Sequence, residues 1–318
     1  MLVMIHNHLS IIQDIIQNTY IFYLNNNSYY LTMVTLNRES FKNVKLFVGM
    51  PCYGGKMCAM TTRCMLQLQQ MSIMLNFPIQ FDFILSESLI PRARNRIVYN
   101  FLKRGFTHLI FIDADIVFKG EDVLKLIYYN HDICVGAYPC KSLYWERIFK
   151  LKEAGHPHPE PASYHYAINY DRTKLDGKDT PNCVDVTYGA TGFMMIKKEV
   201  LLKMQIQYPD LKYINDVPEG STGKIDKIEI PCFFDSVIDP ETKRYLSEDY
   251  YFCQLWLKMG GKIKCDYTCN LTHIGNYAFK GAIATQFNIN PTPIKNDETV
   301  KDIDDDDILK KLEEIVES

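Results

Sequence analysis

The chain has no Lys/Arg-rich run, no Cys-x-x-Cys pair, no internal repeat and no unbroken apolar stretch long enough for a bilayer. Each absence removes a class of function. Lys and Arg number 35 against 38 Asp and Glu, a net charge of -3. Nothing therefore supplies the basic footprint that a nucleic-acid backbone requires, and nucleic acid is not an expected partner. Ten cysteines are scattered along the chain, Cys265 and Cys269 coming nearest to metal-site spacing. Without paired spacing they read as reduced, buried thiols. The stretch from Ile15 to Asn37 carries no charge, but Gln17, Asn18, Asn25, Asn26, Asn27 and Ser28 break it. A span needs about 20 predominantly apolar residues, so no membrane span is expected. A basic n-region and a small-residue cleavage site are also missing, so no secretory signal is expected and the expected location is cytoplasmic. Residues 1–43 read as a flexible leader, of which 1–32 would precede the true start if translation begins at Met33.

What is present is an ordinary globular balance, with 47% hydrophobic and 23% charged residues, enough to bury a sizeable core. The run Val44 to Met50 reads as a buried strand that ends at Pro51, followed by a turn at Gly54 and Gly55 and a helix from Lys56 to Leu75, stopped by Pro78. Ile79 to Leu85 reads as a second strand, Arg92 to Lys103 as a second helix closed by Gly105, and His108 to Ile112 as a third, wholly apolar strand. The pattern β-α-β-α-β predicts an α/β fold: a mostly parallel central sheet covered on both faces, with ligands in the crevice outside the strands' carboxyl ends. Glu121 to Tyr129 continues as a helix and Ile133 to Tyr138 as a strand. Lys141 to Asn182 has no clean period and reads as an inserted loop region. Strands follow near Val184 to Thr187 and over Phe193 to Ile196, then a helix from Lys197, a helix over Asp249 to Met259 and a strand over Lys262 to Cys265. One catalytic domain is thus expected over 44–284. An acidic tail, 285–318, carries a short amphipathic helix at Ile308 to Val316 that either docks on its own domain or joins two copies in a homo-oligomer.

Chemistry concentrates on that rim. Phe111-Ile112-Asp113-Ala114-Asp115 sets two carboxylates directly after an apolar strand, and in extended chain both point to one side, so both aim at one ion. Oxygen ligands of this kind suit Mn²⁺ or Mg²⁺, which would stabilise charge on a departing diphosphate. A D-x-D pair taken alone is equally a turn or helix-entry pair.

At this point the sequence resembles the GT-A glycosyltransferases, over roughly Val44 to Gly281 and by pattern rather than by close identity. The resemblance implies a Rossmann-like three-layer fold in which Asp113 and Asp115, with Ala114 between them, bind the metal and the donor diphosphate. Three further motifs fit in the same order. Tyr188-Gly189-Ala190-Thr191-Gly192 and the strand after it resemble the loop on the acceptor side, which implicates Ala190, Thr191 and Gly192. Ser247-Glu248-Asp249 is similar to the element that carries the catalytic base, with Asp249 as base beside Glu248. The dipole of the helix behind it favours the ionised form; a pair that only caps the helix is the alternative. Leu271-Thr272-His273, followed by Lys280, resembles the histidine that completes the metal shell and a lysine that reaches the diphosphate.

Pro91-Arg92-Ala93-Arg94-Asn95-Arg96 offers guanidiniums suited to phosphate, with Arg92 or Arg94 and Asn95 expected at the donor and Arg96 in solvent. Pro51 and Tyr53 sit where such enzymes cradle the nucleoside, although Tyr53 could equally be packing. His156 and His158 lie in a Pro-rich setting that reads as loop. The implied reaction moves a sugar from a nucleotide-diphosphate donor of UDP or GDP type to a glycan, protein or small-molecule acceptor, with inversion. Two rivals stay open: a haloacid-dehalogenase-like phosphatase with Asp113 as nucleophile and Asp115 as acid and base, and a non-catalytic protein that binds nucleotide sugars or carbohydrate.

Overall fold

The computed structural model describes residues 20–27, 30–170, 182–217, 225 and 227–286. The expected helix at Ile308 to Val316 lies outside these residues. Within the expected leader, the strands Tyr20–Asn27 and Tyr30–Leu36 pair antiparallel. Leu36 and Phe41 are buried in the core, so the folded body begins ahead of Val44.

In chain order the framework is β1 (Leu46–Cys52), α1 (Ala59–Met74), β2 (Ile79–Leu85), α2 (Ile90–Lys103), β3 (His108–Ile112), α3 (Gly120–Tyr129) and β4 (Ile133–Gly136). It continues with α4 (Trp145–Glu153), α5 (Pro159–Ser163), β5 (Cys183–Val186), β6 (Phe193–Lys197), α6 (Lys198–Gln207), α7 (Glu248–Lys258) and β7 (Ile263–Asp266). The seven strands form one sheet in the order β2-β1-β3-β6-β4-β7-β5. β1 pairs parallel with β2 and β3, and β7 parallel with β4. β6 runs antiparallel between β3 and β4, and β5 antiparallel along β7. The fold is α/β with a mostly parallel central sheet.

Burial explains why β3 reads as an unbroken apolar run. Ile110 and Ile112 face the cluster formed with α1 and α3, whereas Leu109 and Phe111 face the one formed with α2, α6 and α7. Both faces of the strand are covered, so no polar alternation is needed. The same rule makes three layers of the whole.

Local chemistry moves several expected boundaries. Helix α1 stops at Asn76, which takes the left-handed region at φ 55°, two residues before Pro78. It starts at Ala59 instead of Lys56, because the extended Cys58 donates its N–H to the Ala114 carbonyl at 2.8 Å. The expected loop from Lys141 to Asn182 holds two helices. α4 buries only Ile148 and α5 is five residues long with Pro in its first turn, so neither writes an apolar period into the sequence. Residues 171–181 lie outside those described.

All ten cysteines are free and none is exposed. Among the described residues no helix is long and apolar enough to cross a membrane.

Candidate functional site

β3 ends in a turn. The Ile116 N–H donates to the Asp113 carbonyl at 3.1 Å, which closes Asp113-Ala114-Asp115 on itself. The alternation expected of extended chain is thereby lost, and the two carboxylates diverge. Asp113 Oδ1 accepts from Arg94 Nη2 at 2.6 Å, on the side of α2. Asp115 Oδ2 accepts from Lys141 Nζ at 2.5 Å, while Asp115 Oδ1 lies 3.4 Å from His273 Nε2.

A small antiparallel sheet delivers His273. Ile116–Val117 pairs with Thr272–Ile274, which pairs in turn with Ala278–Lys280. The Ile274 N–H donates to the Asp115 carbonyl at 2.9 Å and ties the two segments at the site. His273 Nδ1 lies 2.9 Å from the Pro139 carbonyl, which can only accept, so Nδ1 carries a proton there. Nε2 is the ring nitrogen that faces Asp115. Burial pushes the Asp115 carboxyl up, and the His273 and Lys141 contacts outweigh it and hold the group below the usual carboxylate range.

In register, Lys280 shares a face of that small sheet with Thr272, and His273 shares the other with Phe279. Lys280 therefore points away from Asp115. Lys141, from the segment expected to be an inserted loop, is the lysine that reaches it.

Arg94 is 2% exposed and lies over the Phe111 ring at 5.0 Å. Its Nε is 3.9 Å from Glu248 Oε1, at the start of α7, so one guanidinium bridges the D-x-D turn and the Glu248-Asp249 pair. Burial opposes its charge, but Asp113 and Glu248 raise its pKa. Glu248 is pushed up by burial and by Asp249, with Arg94 pulling the other way. Asp249 Oδ1 accepts from the Tyr250 N–H at 2.8 Å and from the Ser247 hydroxyl. Tyr138, at the end of the β4 segment, joins these groups. Its hydroxyl accepts the Gly192 N–H at 3.1 Å, its ring meets that of His273 edge-on at 5.1 Å, and Asp113, Arg94 and Asp249 all act on its charge.

Several residues expected at the donor are occupied elsewhere. Asn95 is buried and spends both ends of its amide on Phe234, donating to the carbonyl at 2.7 Å and accepting the N–H at 3.0 Å. Arg92 makes a two-point pair with Glu87 at 2.7 and 2.8 Å. Arg94 faces carboxylates instead of open cleft, and Arg96 lies over the Tyr99 ring. Tyr53 is 76% exposed, which removes the packing alternative. It sits in the turn Tyr53–Gly55 just after Pro51 at the end of β1. Ala190 and Thr191 are buried, and Gly192 accepts the Asp113 N–H at 3.0 Å. A Cβ on Gly192 would stand 2.5 Å from the Tyr138 hydroxyl, so glycine is what lets that hydroxyl approach. His158 N–H donates to His156 Nδ1 at 3.1 Å, a local turn.

Among the described residues no three His, Cys, Asp or Glu side chains are gathered as a metal cluster. The pair Asp115 and His273 nevertheless fits a hard cation. A carboxylate faces an imidazole nitrogen whose partner nitrogen is already held by a carbonyl, the arrangement that orients a ligating histidine. Asp113 Oδ1 is held by Arg94. Sequence reasoning missed Tyr138 and Lys141, although the expectation of ligands at the strands' carboxyl ends extends to β4 as well as β3.

No protein-family model matches the chain, and no curated protein matches it.

Proposed function

We propose that the chain is a metal-dependent glycosyltransferase of the GT-A type, moving a sugar from a nucleotide-diphosphate donor to an acceptor hydroxyl. The observation that carries this reading is the meeting of three separate segments at one strand end: the Asp113-Ala114-Asp115 turn, His273, and the Glu248-Asp249 start of α7 behind Arg94. Asp115 and His273 are the residues that would hold Mn²⁺ or Mg²⁺. The ion, when bound, would stabilise negative charge on the departing diphosphate.

The remaining roles belong to the chain. Asp113 and Glu248 share Arg94, which fixes the D-x-D turn relative to α7. Asp249 takes the acceptor's proton. Its Oδ1 is occupied by the Ser247 hydroxyl and the Tyr250 N–H, so Oδ2 is the atom that receives it. Asp249 stands in the first turn of α7, where a carboxylate interacts favourably with the helix dipole. Such a base implies direct displacement with inversion. The exposed ring of Tyr53 offers a surface on which a nucleobase stacks.

The test is thermal unfolding with UDP, GDP, CMP and ADP, each with and without Mn²⁺, on the wild type and Asp115→Ala. A ligand at about 100 times its Kd adds about 2.7 kcal/mol. One nucleoside diphosphate should stabilise only with metal, and the substitution should abolish the effect. Stabilisation by phosphate mimics with Mg²⁺, and by no nucleotide, would replace the transferase reading with a phosphatase.

A further inference from the structure

Lys141 enters none of the roles above, yet it makes the shortest contact to Asp115. Its backbone is fixed: the N–H of Cys140 donates to the His165 carbonyl and that of Ser142 to the Cys140 carbonyl, both at 2.8 Å. Its stem runs along Gly275, where an added Cβ would stand 3.1 Å from Lys141 Cδ. Gly275 follows directly on the strand of His273, so the groove that guides the lysine and the histidine that faces Asp115 belong to one segment. The side chains of Lys141 and Asp115 are 38% and 36% exposed, so both can be reached from solvent. Four flexible methylenes between a fixed backbone and a mobile ammonium let the charge swing while its root stays in place.

An ammonium and a divalent cation repel each other on one carboxylate. Resting on the GT-A reading, we propose that Lys141 is a resident counter-ion. It occupies Asp115 in the empty protein, yields it to the incoming cation, and carries its ammonium onto the diphosphate that arrives with that cation. The metal and the nucleotide are then coupled through one side chain. Metal alone must displace the lysine without recompense, whereas with the nucleotide the lysine gains a phosphate partner. Lys141 is thus a competitor of the metal for Asp115 and a binding residue for the diphosphate.

The experiment measures Mn²⁺ binding to the full chain from the loss of the free-ion electron paramagnetic resonance signal, first alone and then with UDP or GDP. In Lys141→Met, Mn²⁺ alone should bind about two- to fivefold more tightly, the scale of one partly exposed ion pair. The nucleoside diphosphate should bind about tenfold more weakly, the scale of one charged hydrogen bond. Lys141→Arg, which keeps the cation, should resemble the wild type. Should Lys141→Met fail to fold, Gly275→Ala crowds the same stem and should move both affinities in the same directions. Mn²⁺ alone binding no more tightly without the lysine, or unchanged nucleotide affinity in a wild type that does bind it, overturns the proposal and leaves the transferase reading standing. A wild type that binds neither Mn²⁺ nor any nucleoside diphosphate overturns both.

Discussion

Replacing Arg94 by Met separates architecture from chemistry at this site. Arg94 is 2% exposed, and its side chain holds Asp113 at 2.6 Å and faces Glu248 at 3.9 Å. Loss of a charged hydrogen bond costs about 1.5–3 kcal/mol. Removing one partner of a buried ion pair costs about 3–5 kcal/mol. Asp113 is 29% exposed and regains some water, which lowers the figure. Arg94 Nε and Nη1 make no hydrogen bond, so their removal returns part of the burial cost. The expected net loss is about 3 kcal/mol, near the low end of the range for a broken buried pair. Urea unfolding would read it as a lower midpoint at an unchanged slope. The pH dependence tests the cause. Burial and Asp249 already raise the Glu248 pKa above its usual value, and without Arg94 it rises further. A raised carboxyl contributes stability that is present below its unfolded pKa and lost as pH rises through its folded pKa. The deficit of the variant should therefore shrink as pH falls from 7.5 toward about 5. A loss under about 1 kcal/mol, or an equal loss at both pH values, would refute the bridging role given to Arg94.

Two further outcomes follow from the same contacts. Asn95→Ala strips both partners from the buried backbone of Phe234 and should cost about 2–3 kcal/mol in urea unfolding; stability equal to wild type would contradict the amide clamp. His108 is pushed down to about 4 by burial and by Lys197. The unfolded chain therefore binds its proton first, and stability present above the unfolded value near 6.5 is lost as pH falls toward 4. An NMR titration of the His108 ring should show it neutral at pH 6, and a midpoint near 6.5 would remove the effect.

The framework was legible where burial imposed a pattern. β3 falls at the residues expected because an apolar run between turn residues admits few other structures, β2 falls at Ile79–Leu85 as expected, and the rim that carries the candidate site followed from the β-α-β order. The site was legible in its members but not in their partners. Asp113, Asp115 and His273 are each visible as chemistry, yet which carboxylate faces which cation depends on a backbone turn that residue spacing does not encode. Asn95 and Arg94 illustrate the ambiguity most plainly. Amides and guanidiniums that suit a phosphate equally suit a loop backbone or two carboxylates, and only burial distinguishes the uses. Lys141 and Tyr138 escaped because one sat in a segment without period and the other read as the end of an apolar strand.

The placement of β6 has a consequence for how the chain is made. It is the one strand bonded to both halves of the sheet, β2-β1-β3 on one side and β4-β7-β5 on the other. During synthesis β3 leaves the ribosome with its outer edge open from Leu109 to Ile112, and its partner, beginning at Phe193, arrives only after the segment that carries Lys141. An unpaired apolar edge of that kind is a template for pairing with another chain. Closure by β6 is thus the step that covers this edge of β3. The same step sets the Gly192 carbonyl on the Asp113 N–H, so the D-x-D turn takes its final form as the two halves are joined.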